Sequence, residues 1–144
     1  MYRFYGHETA DVKPLEKYAM IRDPRHMYDI LAELWCAETC AARMRDKWTK
    51  ENRTLGQCSI TAFLVQDVFG GEVYGIRRPD GNYHCYNVVS GRLFDLTSEQ
   101  FGGEVLDYSD NPLQERSVHF ADGDKKARYE LLSRRFHESI SALS

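Results

Sequence analysis

Gly56-Gln57-Cys58-Ser59-Ile60-Thr61-Ala62-Phe63-Leu64-Val65-Gln66-Asp67-Val68-Phe69-Gly70-Gly71 sets a cysteine at the head of a dense apolar run that two glycines close. The spacing predicts a helix that starts near Gln57 or Cys58 and ends at Phe69. It is apolar on almost every side, which requires burial. A cysteine in the first turn of such a helix meets unpaired backbone N–H groups and the positive end of the dipole, both of which favour thiolate over thiol.

Working outward from this helix, the pattern after Gly71 changes to short runs rich in β-branched and aromatic residues. Residues 72–77, 83–89 and 92–96 read as three strands of an antiparallel meander, separated by Arg78-Pro79-Asp80-Gly81-Asn82 and Ser90-Gly91. Upstream, Asp23-Pro24 supplies an N-cap and a proline at the first helical position, and Met27, Ile30, Leu31, Leu34 and Trp35 follow at helical spacing, predicting a helix over 24–44. Residues 48–55 read as a polar loop. The tyrosine-rich residues 1–21 suggest an edge strand and a turn at Lys13-Pro14. Thr97-Ser98-Glu99-Gln100 has the form of a capping box, residues 102–121 read as loop with a short strand over 117–120, and Leu132, Phe136 and Ile140 form one stripe of a helix over 124–143. Helices before and after a small antiparallel sheet give an α+β domain with a buried central helix packed on the sheet.

The chain has 144 residues, enough for one domain with its own core. Its net charge of −3, with acids and bases interspersed, provides no basic stripe for phosphates, so nucleic acid is not an expected partner. No apolar run approaches the roughly 20 residues of a membrane span, and Met1-Tyr2-Arg3-Phe4 does not begin a secretory signal, so a cytoplasmic protein is expected. Cys36, Cys40, Cys58 and Cys85 are then expected as reduced thiols.

Two further segments bear on Cys58. Tyr83-His84-Cys85-Tyr86-Asn87 holds a candidate base, and Leu93-Phe94-Asp95-Leu96-Thr97 a candidate carboxylate to orient it. If Ser90-Gly91 is a two-residue hairpin turn, Val89 faces Arg92 and Tyr86 faces Asp95. His84 and Asp95 then share a sheet face as diagonal neighbours, roughly 7–8 Å apart by Cα, a gap that imidazole and carboxylate can close. The helix carrying Cys58 is expected to pack on this face. In a Cys58, His84, Asp95 triad, His84 takes the thiol proton and Asp95 fixes its tautomer. The Cys58 backbone N–H and Gln57 are candidate oxyanion donors, and Asn87 a supporting residue.

These segments resemble the transglutaminase-like branch of the papain-like cysteine enzymes, in which Gly-Gln-Cys opens the central helix and His-x-Trp-Asn and Asp-x-Thr strands follow in that order. The corresponding residues are Gly56-Gln57-Cys58, His84-Cys85-Tyr86-Asn87 and Asp95-Leu96-Thr97, with Ser59 and Tyr86 standing where the pattern has tryptophan. From Trp48 through Asp95-Leu96-Thr97 the chain also resembles the YunG-like family of small bacterial proteins. The resemblance implies one papain-like, transglutaminase-like domain over 1–144. It also implies a cysteine hydrolase or acyltransferase that acts on an amide or peptide-like substrate through a Cys58 thioester, without cofactor or metal. In so short a chain there is little sequence beyond Tyr74, Tyr83 and Tyr86 to build a dry tunnel for an amine, so hydrolysis is expected to outrun transfer. The rival reading is an inactive member of the fold that binds a protein or ligand in the same groove.

Other features read as structural. Cys36 and Cys40 lie four apart on one helix face and, with Cys85 and a histidine, offer a zinc reading, but the Cys-x2-Cys knuckle is missing and core packing is the simpler account. Asp122-Gly123-Asp124 starts like a calcium loop, but Lys125 and Lys126 follow, so it reads as a turn and N-cap. His7, His26, His119 and His137 read as surface or packing residues.

Overall fold

The computed structural model describes residues 1–143. Helix α1 (Pro24–Ala32) starts where Asp23 accepts the His26 backbone N–H at 3.0 Å. Helix α2 (Cys58–Phe69) is followed by strands β1 (Glu72–Arg77), β2 (Tyr83–Val89) and β3 (Arg92–Phe94). A short α3 (Arg116–His119) precedes the long C-terminal α4 (Gly123–Ser141), whose N-cap Asp122 accepts the backbone N–H groups of Asp124 and Lys125. The sheet is antiparallel in the order β1-β2-β3. Ser90 and Gly91, at φ 51° and 78°, turn β2 into β3 as a two-residue hairpin, and Val89 pairs with Arg92 as the sequence predicts.

The molecule is layered around α2. Nine of its twelve residues are buried. Its body covers the sheet face that carries Val73, Cys85, Val89 and Phe94, while Ile60, Leu64, Val65 and Val68 meet Met27, Leu31, Leu132 and Phe136 of α1 and α4. Burying each such aliphatic or aromatic side chain stabilises the fold by about 1.5–3 kcal/mol, which explains why α2 tolerates no polar stripe.

Several boundaries differ from the sequence reading. The first helix ends at Ala32 instead of continuing to residue 44, because local side chains offer the backbone other partners. Arg53 Nη1 caps the Ala32 carbonyl at 2.7 Å, and Thr39 Oγ1 accepts the Cys36 N–H at 3.1 Å while donating to the Cys36 carbonyl at 3.0 Å. Two 3₁₀ turns, Ala37–Thr39 and Ala42–Lys47, replace the lost turns. The N-terminal segment forms no strand. It makes 3₁₀ turns and a single bridge, in which the Asp95 N–H donates to the Tyr5 carbonyl at 2.9 Å and thereby ends β3 at Phe94. Residues 117–120 are helical, not extended: Val118 and His119 donate to the Glu115 carbonyl, and Arg116 fastens the turn to α2 through the Phe63 carbonyl and Asp67.

Gly71 joins α2 to β1 at φ 73°, and a Cβ there would lie 2.4 Å from the Val88 carbonyl oxygen. Gly71→Ala is therefore expected to destabilise the protein by about 1–3 kcal/mol, read as a lower urea midpoint; an unchanged midpoint would contradict the close packing of this junction.

Candidate active site

The approach to Cys58 is held by backbone. Gly56 adopts φ 70°, and a Cβ there would sit 2.5 Å from Cys40 Sγ, so only glycine lets residues 40 and 41 come this close. The Ala41 N–H donates to the Gly56 carbonyl at 2.9 Å, and the Gly56 N–H donates to Gln100 Oε1 at 3.3 Å. Gln57 is fully buried; its Nε2 donates to the Cys36 carbonyl at 3.1 Å. The side-chain amide offered by the sequence as an oxyanion donor is thus engaged with the neighbouring turn. Gln57 supplies no side-chain cap to α2, and the leading N–H of Cys58 has no acceptor among the described residues.

His84 and Asp95 meet as the hairpin register predicts. His84 Nε2 lies 2.6 Å from Asp95 Oδ2, and the two residues are 2% and 1% exposed, so solvent does not screen the pair. Asp95 takes three further donors: the Tyr108 hydroxyl at 2.7 Å on Oδ2, and on Oδ1 the Thr97 N–H at 3.2 Å and the Thr97 hydroxyl at 3.4 Å. Phe101 meets the His84 ring edge-on at 4.6 Å. With Nε2 on Asp95, Nδ1 has no hydrogen-bond partner among the described residues and is the ring nitrogen left for Cys58.

Cys58 reaches this pair from an unexpected direction. The body of α2 covers the opposite sheet face, the one carrying Cys85 and Asn87, and not the His84 face to which the sequence reading assigned it. The contact is made around the edge of β2. Pairing with β3 ends at Asn87–Phe94, and beyond that end the Cys58 thiol donates to the Tyr83 carbonyl at 3.7 Å and accepts the Cys85 backbone N–H. The sulfur stands where a longer β3 would have run.

Electrostatics favour an ion pair. Burial pushes the Cys58 thiol up, but the neighbouring His84 ring and its charge, with the Cys85 N–H, outweigh it and hold the thiol below its ordinary value. Burial pushes the His84 imidazolium down, but the charge and hydrogen bond of Asp95, then Cys58, raise it to about 10. Burial pushes the Cys40 and Cys85 thiols the other way.

The remaining sequence candidates fall outside this constellation. Asn87 is buried on the α2 side and donates to the Ala62 carbonyl at 2.9 Å, tying β2 to α2. Thr97 and Gln100 form no capping box: Thr97 supports Asp95, and Gln100 bridges the Thr97 carbonyl and the Gly56 N–H. Cys36 contacts Arg135, Cys40 packs on Gly56 and Cys85 lies beside Phe63 and His119, so the three do not converge. Sequence reasoning missed Tyr108 and Phe101. The Asp-x-Thr spacing is an Asx-turn signal for Thr97, whereas Tyr108 sits in an irregular segment with no pattern to place it.

In front of Cys58 and His84 lies a cavity of about 320 Å³, bordered also by Gly56, Ser59, Tyr83 and Phe101. The family model described as YunG protein matches residues 23–141, a span that includes Cys58, His84 and Asp95. The chain belongs to the YunG family. It is 33% identical over 119 residues to "Uncharacterized protein YunG" of Bacillus subtilis (strain 168), covering 83% of this chain and 96% of that protein. No solved structure matches it. Among the described residues no helix is long and apolar enough to cross a membrane, and no group of three or more His, Cys, Asp or Glu side chains is placed to hold a metal ion.

The direction of the two shifts fixes a pH dependence. A thiol held below its ordinary value stays reactive as pH falls, so iodoacetamide at pH 6.5 is expected to label Cys58 ahead of Cys36, Cys40 and Cys85. His84→Ala removes the stabilising charge and leaves burial, which raises the thiol; the Cys58 rate constant at pH 6.5 is expected to fall by about tenfold or more. Peptide mapping by mass spectrometry reads both, and an unchanged rate in His84→Ala would contradict the pairing.

Proposed function

We propose that this chain is a cysteine hydrolase with a transglutaminase-like, papain-like core that cleaves an amide or peptide-like bond through a Cys58 thioester. The observation that carries the reading is the buried His84–Asp95 pair at 2.6 Å, which leaves His84 Nδ1 for a thiol whose proton the surroundings weaken.

The Cys58 thiolate adds to the amide carbonyl carbon, and the negative charge moves to the oxygen. That oxygen lies at the head of α2, where the Cys58 N–H supplies a donor and the helix dipole adds to it. As the C–N bond breaks, the electron pair leaves on nitrogen and His84 Nδ1 gives it a proton, releasing the amine. The neutral imidazole then accepts a proton from water, hydroxide adds to the thioester, and the S–C bond breaks to free the carboxylic acid and restore the thiolate–imidazolium pair. Asp95 holds the imidazole throughout, itself held by Tyr108 and Thr97.

Water as acceptor is supported by where the tyrosines lie. Tyr74 stacks on Tyr86, whose hydroxyl donates to the Tyr108 carbonyl, and of the three only Tyr83 borders the cavity. No aromatic tunnel shields the thioester. A second reading, an inactive member of the fold that binds a protein or small ligand in this cavity, is favoured by one feature: the Gln57 side chain is buried against Cys36 and is not among the residues that border the cavity, so it offers no second oxyanion donor there.

Glutamine-containing peptides and small amides, incubated with and without a labelled primary amine, test the proposal. Wild-type protein is expected to hydrolyse a subset, Cys58→Ala and His84→Ala to lose at least about 10³-fold in rate, and amine incorporation to stay below hydrolysis. Turnover that survives Cys58→Ala would contradict the assignment, and dominant amine incorporation would make the protein an acyltransferase.

A further inference from the structure

The chain is acidic overall, at −3, yet the side chains bordering the Cys58 cavity include four cations, Arg43, Arg78, Lys125 and Arg128, against one acid, Asp80. Three of the four cations are matched by carboxylates. Arg43 Nη2 lies 3.7 Å from Asp80, and Arg78 Nη2 donates to both Glu104 oxygens at 2.9 Å. On α4, Arg128 is matched through Nε by Asp124, and Lys125 has no carboxylate partner among the described residues.

Lys125 donates from Nζ to His119 Nδ1 at 2.9 Å and forms no ion pair among the described residues. His119 directs Nε2 at Gln114 Oε1 at 2.7 Å, so its N–H is used there and Nδ1 is a neutral acceptor. Burial first, and then the Lys125 charge, push His119 down to about 4, which keeps the ring a neutral acceptor for Lys125. Arg128 is 7% exposed; its Nε donates to Asp124 at 2.9 Å and its Nη1 to the Thr39 carbonyl at 3.2 Å, while Nη2 has no protein partner among the described residues. Lys125 and Arg128 are three apart and share one face of α4. The Asp124–Arg128 pair supports the helix at i,i+4, whereas the Lys125 charge in the first turn opposes the dipole and has no carboxylate to offset it among the described residues.

We propose that these two side chains bind a carboxylate of the substrate, so that the Cys58 cavity selects amides carrying a carboxylate beside the scissile bond, such as the C-terminal end of a peptide or an acidic acyl-amino acid. This rests on the reading of Cys58 as the nucleophile. The pocket field is steered by the charged α4 edge, and Arg43 and Arg78, engaged by Asp80 and Glu104, compete less for the anion.

Iodoacetate and iodoacetamide carry out the same step on Cys58, an S–C bond forming as iodide leaves with the electron pair, and differ in one negative charge. The ratio of their rate constants at Cys58 is expected to exceed that measured on glutathione by about tenfold and to fall towards it in high salt. Lys125→Gln, which keeps a donor for His119, is expected to remove most of the excess, Lys125→Arg to retain it, and Lys126→Gln, an exposed neighbour with the same charge change, to leave it unaltered. A wild-type ratio at or below that of glutathione, or an equal loss in Lys126→Gln, would overturn the proposal. In parallel, Cys58→Ala protein is titrated with N-acetylglycine and N-acetylglycinamide, followed by backbone NMR shifts around residues 125 and 128. Preference for the acid supports the carboxylate site even if Cys58 proves unreactive, which would sink only the nucleophile reading; no preference overturns the site whatever the thiol does.

Discussion

The buried contact between His84 and Asp95 is the constraint on which the rest of the structure depends. Bringing a carboxylate and an imidazolium to 2% exposure or less is unfavourable by several kcal/mol per ion unless geometry and hydrogen bonds offset it. The fold meets that condition by giving Asp95 four donors from three residues: the His84 ring, the Tyr108 hydroxyl and the Thr97 N–H and hydroxyl. Each of the three residues comes from a different piece of chain. β2 supplies His84, the turn after β3 supplies Thr97, and the irregular segment before α3 supplies Tyr108, whose ring stacks on Tyr5 at 4.0 Å and so draws in the N-terminal segment as well. The same Tyr5 ends β3 by taking the Asp95 N–H.

That early end of β3 has a chemical consequence. A strand carried two to four residues further would pair with β2 at Cys85 and then Tyr83, and the groups that address the Cys58 sulfur would be used in a ladder instead. Stopping at Phe94 opens a notch at the edge of the central strand, and α2 fills it with its first residue. The helix therefore does two separate jobs. Its body, nine of twelve residues buried, holds the sheet to α1 and α4, and its uncapped head presents a thiol and free N–H groups to a cavity. Those jobs impose different sequence rules, which is why the apolar run begins only after Gly56-Gln57-Cys58.

Much of this was legible in the sequence wherever a periodic pattern had length or a turn had only one solution. The bounds of α2, β1 and β2, and the Val89–Arg92 register, follow from the apolar run, the β-branched runs and the Ser90-Gly91 turn. The meeting of His84 with Asp95 follows from that register by parity alone. The failures have a common cause. The expected helix over 24–44 broke because the Thr39 side chain and the distant Arg53 compete for its backbone, and the expected strand over 117–120 coiled because Arg116 is drawn to α2 by contacts some fifty residues distant in sequence. The face on which α2 packs was misjudged because alternation says which residues share a face but not which face a helix covers. Tyr108 carries no local signal, since its role depends on a loop whose path is set by tertiary contacts.

The central claim is that Cys58 and His84 stand as thiolate and imidazolium at neutral pH, and the ¹⁵N shifts of the His84 ring measure it most directly. With selectively labelled histidine at pH 7.5, both His84 ring nitrogens are predicted to fall in the protonated range and to stay there until pH approaches about 10, with Cys58→Ala lowering that midpoint. A neutral ring at pH 7.5, with one protonated and one bare nitrogen, would contradict the account.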